Sequence, residues 1–372
     1  MYTSFWDRNC MRTINDYFEM NNIHFMDAEY INDGMLFWDT ISKEFYSFDF
    51  DRYVLSCINV NGEDEFEMDC PRRIIRDAEN IFLVQNNPCV VYQFKHNDIE
   101  LIYQKKLVAE KFEGRVKEAF LYERKLYIVP TEAGKNAAII NIDNWNAKYC
   151  ELVEGRESGN NVFNEVLFKK PYMYISYMEG SDICRINLSD GGRESFATGI
   201  TEDIAGIAIK GNEIILMARG GKTVYVWDII EGMTRVIART DVESEDMGRI
   251  RMLNDETIVL CPVLGNRFYY IDNSTAKILP IKAVTPIHRD SNSTFTIGTV
   301  VHNGSLFIFP WAGENMVKIS RYENRWEACE IPFVMKGEDY VSMLKDMHYF
   351  DQIFIEKEKI PLPEFVRIIN FL

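Results

Sequence analysis

Apolar and polar positions along this chain form a phrase that returns seven times: an apolar run, a small polar turn, a second apolar run often closing on Asp or Asn, then a gap. The first run of each phrase starts near Leu36, Phe82, Leu126, Met173, Ile214, Thr257 and Leu306, in steps of 46, 44, 47, 41, 43 and 49 residues. Short runs rich in Ile and Val, punctuated by Gly or Asn where a turn needs positive φ, read as β-strands. A period of about 45 residues built from short strands marks a repeat that folds as one four-stranded sheet per unit. The expected fold is all-β, a seven-bladed β-propeller of four-stranded antiparallel blades, with short helical N- and C-terminal additions.

Within a repeat the strands are designated a to d. The fifth shows the plan most plainly: Ile204 to Ile209 as a, Glu213 to Ala218 as b, Thr223 to Asp228 as c and Met233 to Ala238 as d. Lys210-Gly211-Asn212 separates a from b, and Arg219-Gly220-Gly221-Lys222 separates b from c. Blades of this kind cannot bury their faces singly, so residues 23–333 count as one domain despite their length. Residues 1–22 form an N-terminal extension with Trp6, Met11, Ile14, Tyr17 and Phe18 at helical spacing. In the C-terminal tail, 334–372, Glu338 to Phe350 carries Val341, Leu344 and Met347 on one side of a helix. The apolar end from Phe365 to Leu372 is expected to dock on the propeller or on a partner. Ring closure is expected to use one blade completed by strands from both ends of the chain.

The ends of the strands resemble the kelch repeat family. That pattern has a Gly pair after the second strand, a Tyr-Asp-like close to the third and a Trp opening the fourth. Here Gly220-Gly221 supplies the pair once, Trp227-Asp228 and Ile271-Asp272 close third strands, and Arg321-Tyr322 leads into Trp326. Trp145 follows Asn141-Ile142-Asp143 in the same way. The resemblance spans roughly residues 24–332 and implies the propeller fold, with partner binding as its commonest use and no particular function.

Composition narrows the partners. The net charge of −16 repels phosphate backbones, and no basic patch is visible, so nucleic acid is not expected. No run approaches the roughly 18 apolar residues of a membrane span. The N-terminus lacks a basic segment followed by an apolar one, so a secretory signal is not expected either. The eight cysteines form no CxxC pair, and most lie in apolar runs, which reads as buried, reduced thiols and a cytoplasmic setting.

Candidate chemistry falls on the b–c loops, which in a propeller share one face around the channel mouth. The ligand-binding candidates are Glu132, Asn136, Tyr177, Glu179, Arg219, Asn266, Arg267, Trp311, Glu314 and Asn315. Three of these loops share Pro, Gly and Asn: Pro130 with Gly134 and Asn136, Pro262 with Gly265 and Asn266, Pro310 with Gly313 and Asn315. Pro ends a ladder because it has no N–H, and the motif reads either as punctuation or as a repeated ligand-holding element. Amide, carboxylate and aromatic groups suit a sugar-like polar ligand as well as a protein or peptide. The five histidines show no metal-binding spacing, and no nucleophile elbow or P-loop is present. No metal or cofactor is expected. The leading expectation is an intracellular binding scaffold acting through the b–c loop face. A carbohydrate-active or other small-molecule enzyme at the channel mouth is the alternative, using carboxylates such as Glu132, Glu179 and Glu314.

Overall fold

The computed structural model describes residues 25–335 except 32–33, 40–43, 62–70, 79, 87, 97–99, 156–160, 241–246, 255, 263–266, 284–297, 310–314 and 333. The helices expected in 1–22 and 338–350, and the rest of the tail, lie outside the described residues. Within the described residues the chain is all strand, turn and loop.

The first half runs β1 (Phe25–Ile31), β2 (Gly34–Asp39), β3 (Glu44–Asp49), β4 (Val54–Asn61), then β5 (Pro71–Asp77), β6 (Asn80–Gln85), β7 (Val90–His96), β8 (Glu100–Val108). Next come β9 (Val116–Tyr122), β10 (Lys125–Pro130), β11 (Asn136–Asn141), β12 (Ala147–Glu151), then β13 (Phe163–Lys169), β14 (Tyr172–Tyr177), β15 (Ile183–Asn187), β16 (Arg193–Phe196). The chain continues with β17 (Ile204–Lys210), β18 (Glu213–Ala218), β19 (Thr223–Asp228), β20 (Thr234–Arg239), then β21 (Met247–Met252), β22 (Ile258–Pro262), β23 (Tyr269–Asp272), β24 (Lys277–Pro280). It ends with β25 (Lys282–Ala283), β26 (Gly298–His302), β27 (Ser305–Phe309), β28 (Asn315–Tyr322), β29 (Arg325–Pro332) and β30 (Val334–Met335).

Strands β1–β4, β5–β8, β9–β12, β13–β16, β17–β20, β21–β24 and β26–β29 are antiparallel meanders, and parallel contacts between outer strands merge them into five hydrogen-bonded sheets. The first strands pack side by side from β1 through β5, β9, β13 and β17 to β21, and β26 lies beside β1. The arrangement is propeller-like, with the a strands innermost. Burial grades outward accordingly. Second strands such as β6, β14 and β18 are buried through nearly their whole length, since a neighbouring sheet covers each face. Outer strands such as β16, Arg-Glu-Ser-Phe, are mostly exposed.

The Asp or Asn that closes five of the seven c strands has a structural task. Asp49, Asn141, Asn187, Asp228 and Asp272 each accept, through Oδ1, the backbone N–H two residues ahead at 2.8–3.0 Å, which turns the chain into strand d. Pro130 and Pro262 are the last residues of β10 and β22.

The first sheet holds strands from both ends of the described chain, because β30 pairs with β4. Each four-stranded meander is continuous in sequence, so its ladder is completed by short hairpins. The chain leaving one outer strand instead runs parallel to the next: Asn59–Asn61 along Glu100–Ile102, Lys282–Ala283 along Glu327–Ala328, and Val334–Met335 along Val54–Leu55. The last of these joins the end of the ring to its beginning. Aromatic packing seals the same seam. Phe50, buried, stacks on His302 with ring centroids 4.6 Å apart and meets Phe307 at 4.6 Å. The Tyr30 hydroxyl lies 3.2 Å from His302 Nδ1, and Lys318 Nζ donates to the Tyr53 hydroxyl at 2.8 Å.

Candidate functional site

The innermost strands carry a repeated irregularity. In β1, β5, β9, β13, β17 and β21 the register against the following strand slips by one residue near the start. A β-bulge of this kind re-aims side chains and recurs beside functional surfaces. Here the bulge places two successive half-buried residues between buried apolar ones: Arg72-Arg73 after Pro71, Lys117-Glu118 after Val116, Asn164-Glu165 after Phe163. After the slip, Arg73, Glu118, Glu165, Gly206 and Arg249 stand at one level, opposite Val84, Val129, Ser176, Met217 and Cys261. Asp27 sits at the corresponding slip in β1.

These groups bond from strand to strand around the inner wall. Asp27 Oδ2 accepts from Ile74 N–H at 2.8 Å. Arg73 donates to Glu118 at 2.7 and 3.2 Å and to the Lys117 carbonyl at 2.6 Å. Asn164 Nδ2 donates to the Ile204 carbonyl at 3.0 Å, and Glu165 Oε2 accepts from Ile207 N–H at 2.6 Å. Glu165 Oε1 also lies 3.6 Å from Arg251, whose Nε donates to Thr299 Oγ1 at 2.7 Å. Arg251 thus reaches past β17, and Gly206 on that strand makes the approach feasible. A Cβ there would meet Gly248 O and Ile250 N of β21 at 3.2 Å.

The electrostatics of this wall are strained. Burial pushes the Asp27 carboxyl up to about 6, with Arg73 opposing and Glu118 adding. Burial, with Asp27 next, pushes Glu29 up to about 7. Burial works against the charge of Arg73, but Glu118 and Asp27 outweigh it and raise its pKa. Lys117 is drawn down to about 8, chiefly by burial; Glu165 opposes this, and Arg73, Arg249 and Arg72 add to it. Arg249 falls to about 10 through burial and the neighbouring charge of Arg251, with Glu165 opposing and Arg73 adding. Lys117, Arg73, Arg249 and Glu165 therefore lie within electrostatic reach of one another although they come from four different strands.

The b–c loops form a second surface. Main-chain bonds knit them together: Phe163 N–H to Thr131 O at 2.8 Å and Ile204 N–H to Gly180 O at 3.2 Å cross between meanders, while Met178 N–H to Val162 O at 2.9 Å and Arg219 N–H to Asp203 O at 2.7 Å tie a loop to the segment that enters its own meander. Among the expected site residues, Glu132 joins this rim through a bridge with Val162. Asn136 opens β11 and exchanges bonds with Glu113, donating N–H to Oε2 at 3.1 Å and accepting at its carbonyl at 3.2 Å. Glu179 and Arg267 are exposed. Arg219 straps two loops together, donating to the Met178 carbonyl at 2.5 Å and lying 3.6 Å from Asp203. The Tyr177 side chain is 4 % exposed and packs edge-on against Phe163, so its ring belongs to the core. Asn315 opens β28 opposite Pro332. Asn266, Trp311 and Glu314 lie outside the described residues. The structure thus draws the Glu132, Tyr177–Glu179 and Arg219 segments into one continuous rim.

The loop pattern of the sequence points to the rim and not to the inner wall. The signal was present: a polar pair at the start of strand a, as in Arg72-Arg73, Lys117-Glu118 and Asn164-Glu165, returns with the period of the repeat. Among the described residues no group of three His, Cys, Asp or Glu side chains is placed to hold a metal ion.

Neither a protein-family model nor a curated protein sequence matches this chain. Solved structures do. YCF48 from Cyanidioschyzon merolae superposes with a TM-score of 0.62 at 10 % identity, over 81 % of this chain and 97 % of that one. Kluyveromyces lactis Hsv2 gives 0.57 at 11 % identity, over 83 % and 98 %. U3-55K gives 0.54 at 9 % identity, over 84 % and 96 %. At such identities the likeness speaks for the fold alone, and these neighbours are propeller proteins. The chain has a propeller-like fold of four-stranded sheets.

Proposed function

We propose that the protein is a binding module in which the seven meanders serve as seven blades of one propeller. Its rim of b–c loops would hold a protein segment or a polar ligand. The observation that carries this reading is the belt of main-chain hydrogen bonds running through Thr131, Val162, Gly180 and Asp203. A loop already held in place loses little conformational freedom when it binds, so rim side chains such as Glu179, Arg219 and Lys222 are displayed on a preorganised surface. Propeller folds are widely used as interaction scaffolds, which supports the same reading without naming a partner. An intracellular setting goes with it, supported by the free, buried thiols of Cys89 and Cys261, which burial pushes up to about 12.

The test is capture from host extract by the full chain beside a Glu179→Lys, Lys222→Glu double variant. Both side chains are exposed, so the variant should keep the wild-type melting temperature. A partner retained by the wild type and lost from the variant locates binding on the rim. A partner held equally by both would move the binding surface elsewhere and overturn this part of the reading.

A further inference from the structure

We infer that the Asn303-Gly304 turn is a site of self-modification, where the Asn303 side-chain amide is lost as ammonia and the residue becomes aspartate or isoaspartate. The turn joins the first and second strands of its meander, so the b–c loops of the rim take no part in it.

Asparagine followed by glycine is the pair in which this chemistry is easiest, because glycine has no Cβ to hinder its own backbone nitrogen. The chain holds two such pairs, Asn61-Gly62 and Asn303-Gly304. The fold treats them differently. Asn61 is the last residue of β4, pairs with Ile102 in the parallel ladder to β8, and donates through Nδ2 to the Glu100 carboxylate. Its backbone and its amide are both engaged. Asn303 and Gly304 instead form the two-residue loop between β26 and β27, since the ladder closes at His302 opposite Ser305. Their φ values of 45° and 70° are both positive, as a tight hairpin of this kind requires. Both residues are exposed, and a Cβ on Gly304 would meet no described atom within 4 Å. Asn303 is therefore open to water, and its turn has room for the rotation that brings the Gly304 nitrogen to the side-chain carbonyl.

His302 stands at the leaving group. Its Nε2 lies 2.9 Å from Asn303 Nδ2. An amide nitrogen only donates, so Nε2 accepts and the ring proton sits on Nδ1, 3.2 Å from the Tyr30 hydroxyl. In the reaction the Gly304 backbone nitrogen bonds to Asn303 Cγ and gives up its proton, which His302 Nε2 is placed to pass to Nδ2. The Cγ–Nδ2 bond breaks, ammonia departs, and a succinimide ring remains. One water then opens that ring, at Cγ to leave aspartate or at the main-chain carbonyl to leave isoaspartate. No oxidant or reductant takes part. The product bears on the seam of the ring, because His302 also stacks on Phe50 with centroids 4.6 Å apart. A carboxylate cannot donate to Nε2, and isoaspartate adds a methylene to the backbone of a two-residue turn.

The experiment incubates the purified full chain at neutral pH and follows its peptides by mass spectrometry, with the modified residue located by fragmentation. An Asn303→Gly variant is incubated beside it; glycine suits the positive φ of the turn and carries no amide. The expected result for the wild type is conversion of amide to acid at Asn303, with an isoaspartate isomer present, at least tenfold faster than at Asn61. Aged wild type should melt below fresh wild type, whereas aged and fresh Asn303→Gly should melt alike. The inference is overturned if Asn303 keeps its amide, or if Asn61 loses its own as fast, since the fold would then not select between the two pairs. A wild type converted at Asn303 that melts as it did when fresh overturns the connection to the seam. If Asn303→Gly fails to fold, the comparison of Asn303 with Asn61 inside the wild type still decides the assignment. None of these outcomes touches the rim residues, so capture of a partner there is decided separately.

Discussion

Asp27→Asn should stabilise the protein at neutral pH and flatten its dependence on pH. The carboxyl is enclosed at the start of β1, faces Arg73 and Glu118, and accepts the Ile74 N–H at 2.8 Å. Burial dominates, and its pKa stands at about 6 in the fold against 3.8 for an unperturbed aspartate. The folded chain therefore binds the proton more tightly than the unfolded chain. That contribution to stability is fully present below about pH 4 and is lost as the pH rises through about 6. At about 1.4 kcal/mol per pH unit, the shift corresponds to about 3 kcal/mol in full. Between about pH 5 and about pH 7.5, the part lost is about 1–2 kcal/mol. Glu29, two residues on, faces Asp27 and Arg76, and its pKa of about 7 adds a slope of the same sign. The Asn side chain keeps an oxygen for Ile74 N–H but carries no charge, and it also removes part of what raises Glu29. The assay is urea unfolding of both proteins at the two pH values. The wild type should be less stable at the higher pH, and the difference between variant and wild type should grow by about 1–2 kcal/mol across the window. A wild type equally stable at both values, or a variant with the wild-type slope, would refute the reasoning.

The same wall and its core give three further expected outcomes. Gly206→Ala should cost about 1–3 kcal/mol, because its Cβ meets the β21 backbone at 3.2 Å, whereas Gly298→Ala meets side-chain carbons at 3.8 Å and should stay within about 1 kcal/mol of the wild type; thermal unfolding of the pair checks this. Glu165→Ala should cost about 2–4 kcal/mol by leaving Ile207 N–H and Arg251 without their partner, while Glu165→Gln, which can still accept from Ile207, should cost less than half of that in chemical denaturation. Trp227→Ala, at a side chain 1 % exposed with its ring 4.7 Å from Phe196, should cost about 3–5 kcal/mol, against less than about 0.5 kcal/mol for Met233→Ala at the exposed edge of the same meander.

The rim and the inner wall use the repeat differently. The rim loops vary in sequence from one meander to the next, and those described between β10 and β19 share a backbone held by hydrogen bonds. The inner wall varies only in which side chain occupies a fixed position after the bulge. Asp27, Arg73, Glu118, Glu165, Gly206 and Arg249 come from successive meanders, so a change of residue type at one register position changes the charge of the wall without disturbing the ladder outside it. Burial and charge are in tension there, as in the raised pKa of Asp27 and the lowered pKa of Lys117.

Much of this molecule is legible in its linear pattern, because a strand's burial and its turns are local matters. The apolar runs from Ile81 to Gln85 and from Glu213 to Ala218 are second strands, buried as their composition demands. The Asp or Asn that closes a c run bends the next turn with its own side chain, so its place is written within three residues. Four-stranded meanders and their order follow from such signals. What the tertiary structure alone decides is which residues meet. Tyr177 looks like a binding aromatic at a loop, but β13 brings Phe163 against it and makes it core. Arg219 reads in the sequence as a loop cation, and only the tertiary structure brings it to Met178 O of the preceding meander and to Asp203 ahead of β17. A bulge depends on pairing between strands, so nothing in Lys117-Glu118 or Gly248-Arg249 taken alone reveals that they face one inner wall. The seam is of the same kind: Val334–Met335 finds Val54–Leu55, from the far end of the chain, only after the whole ring has been built, because a contact between such distant segments repays its loop-closure entropy last.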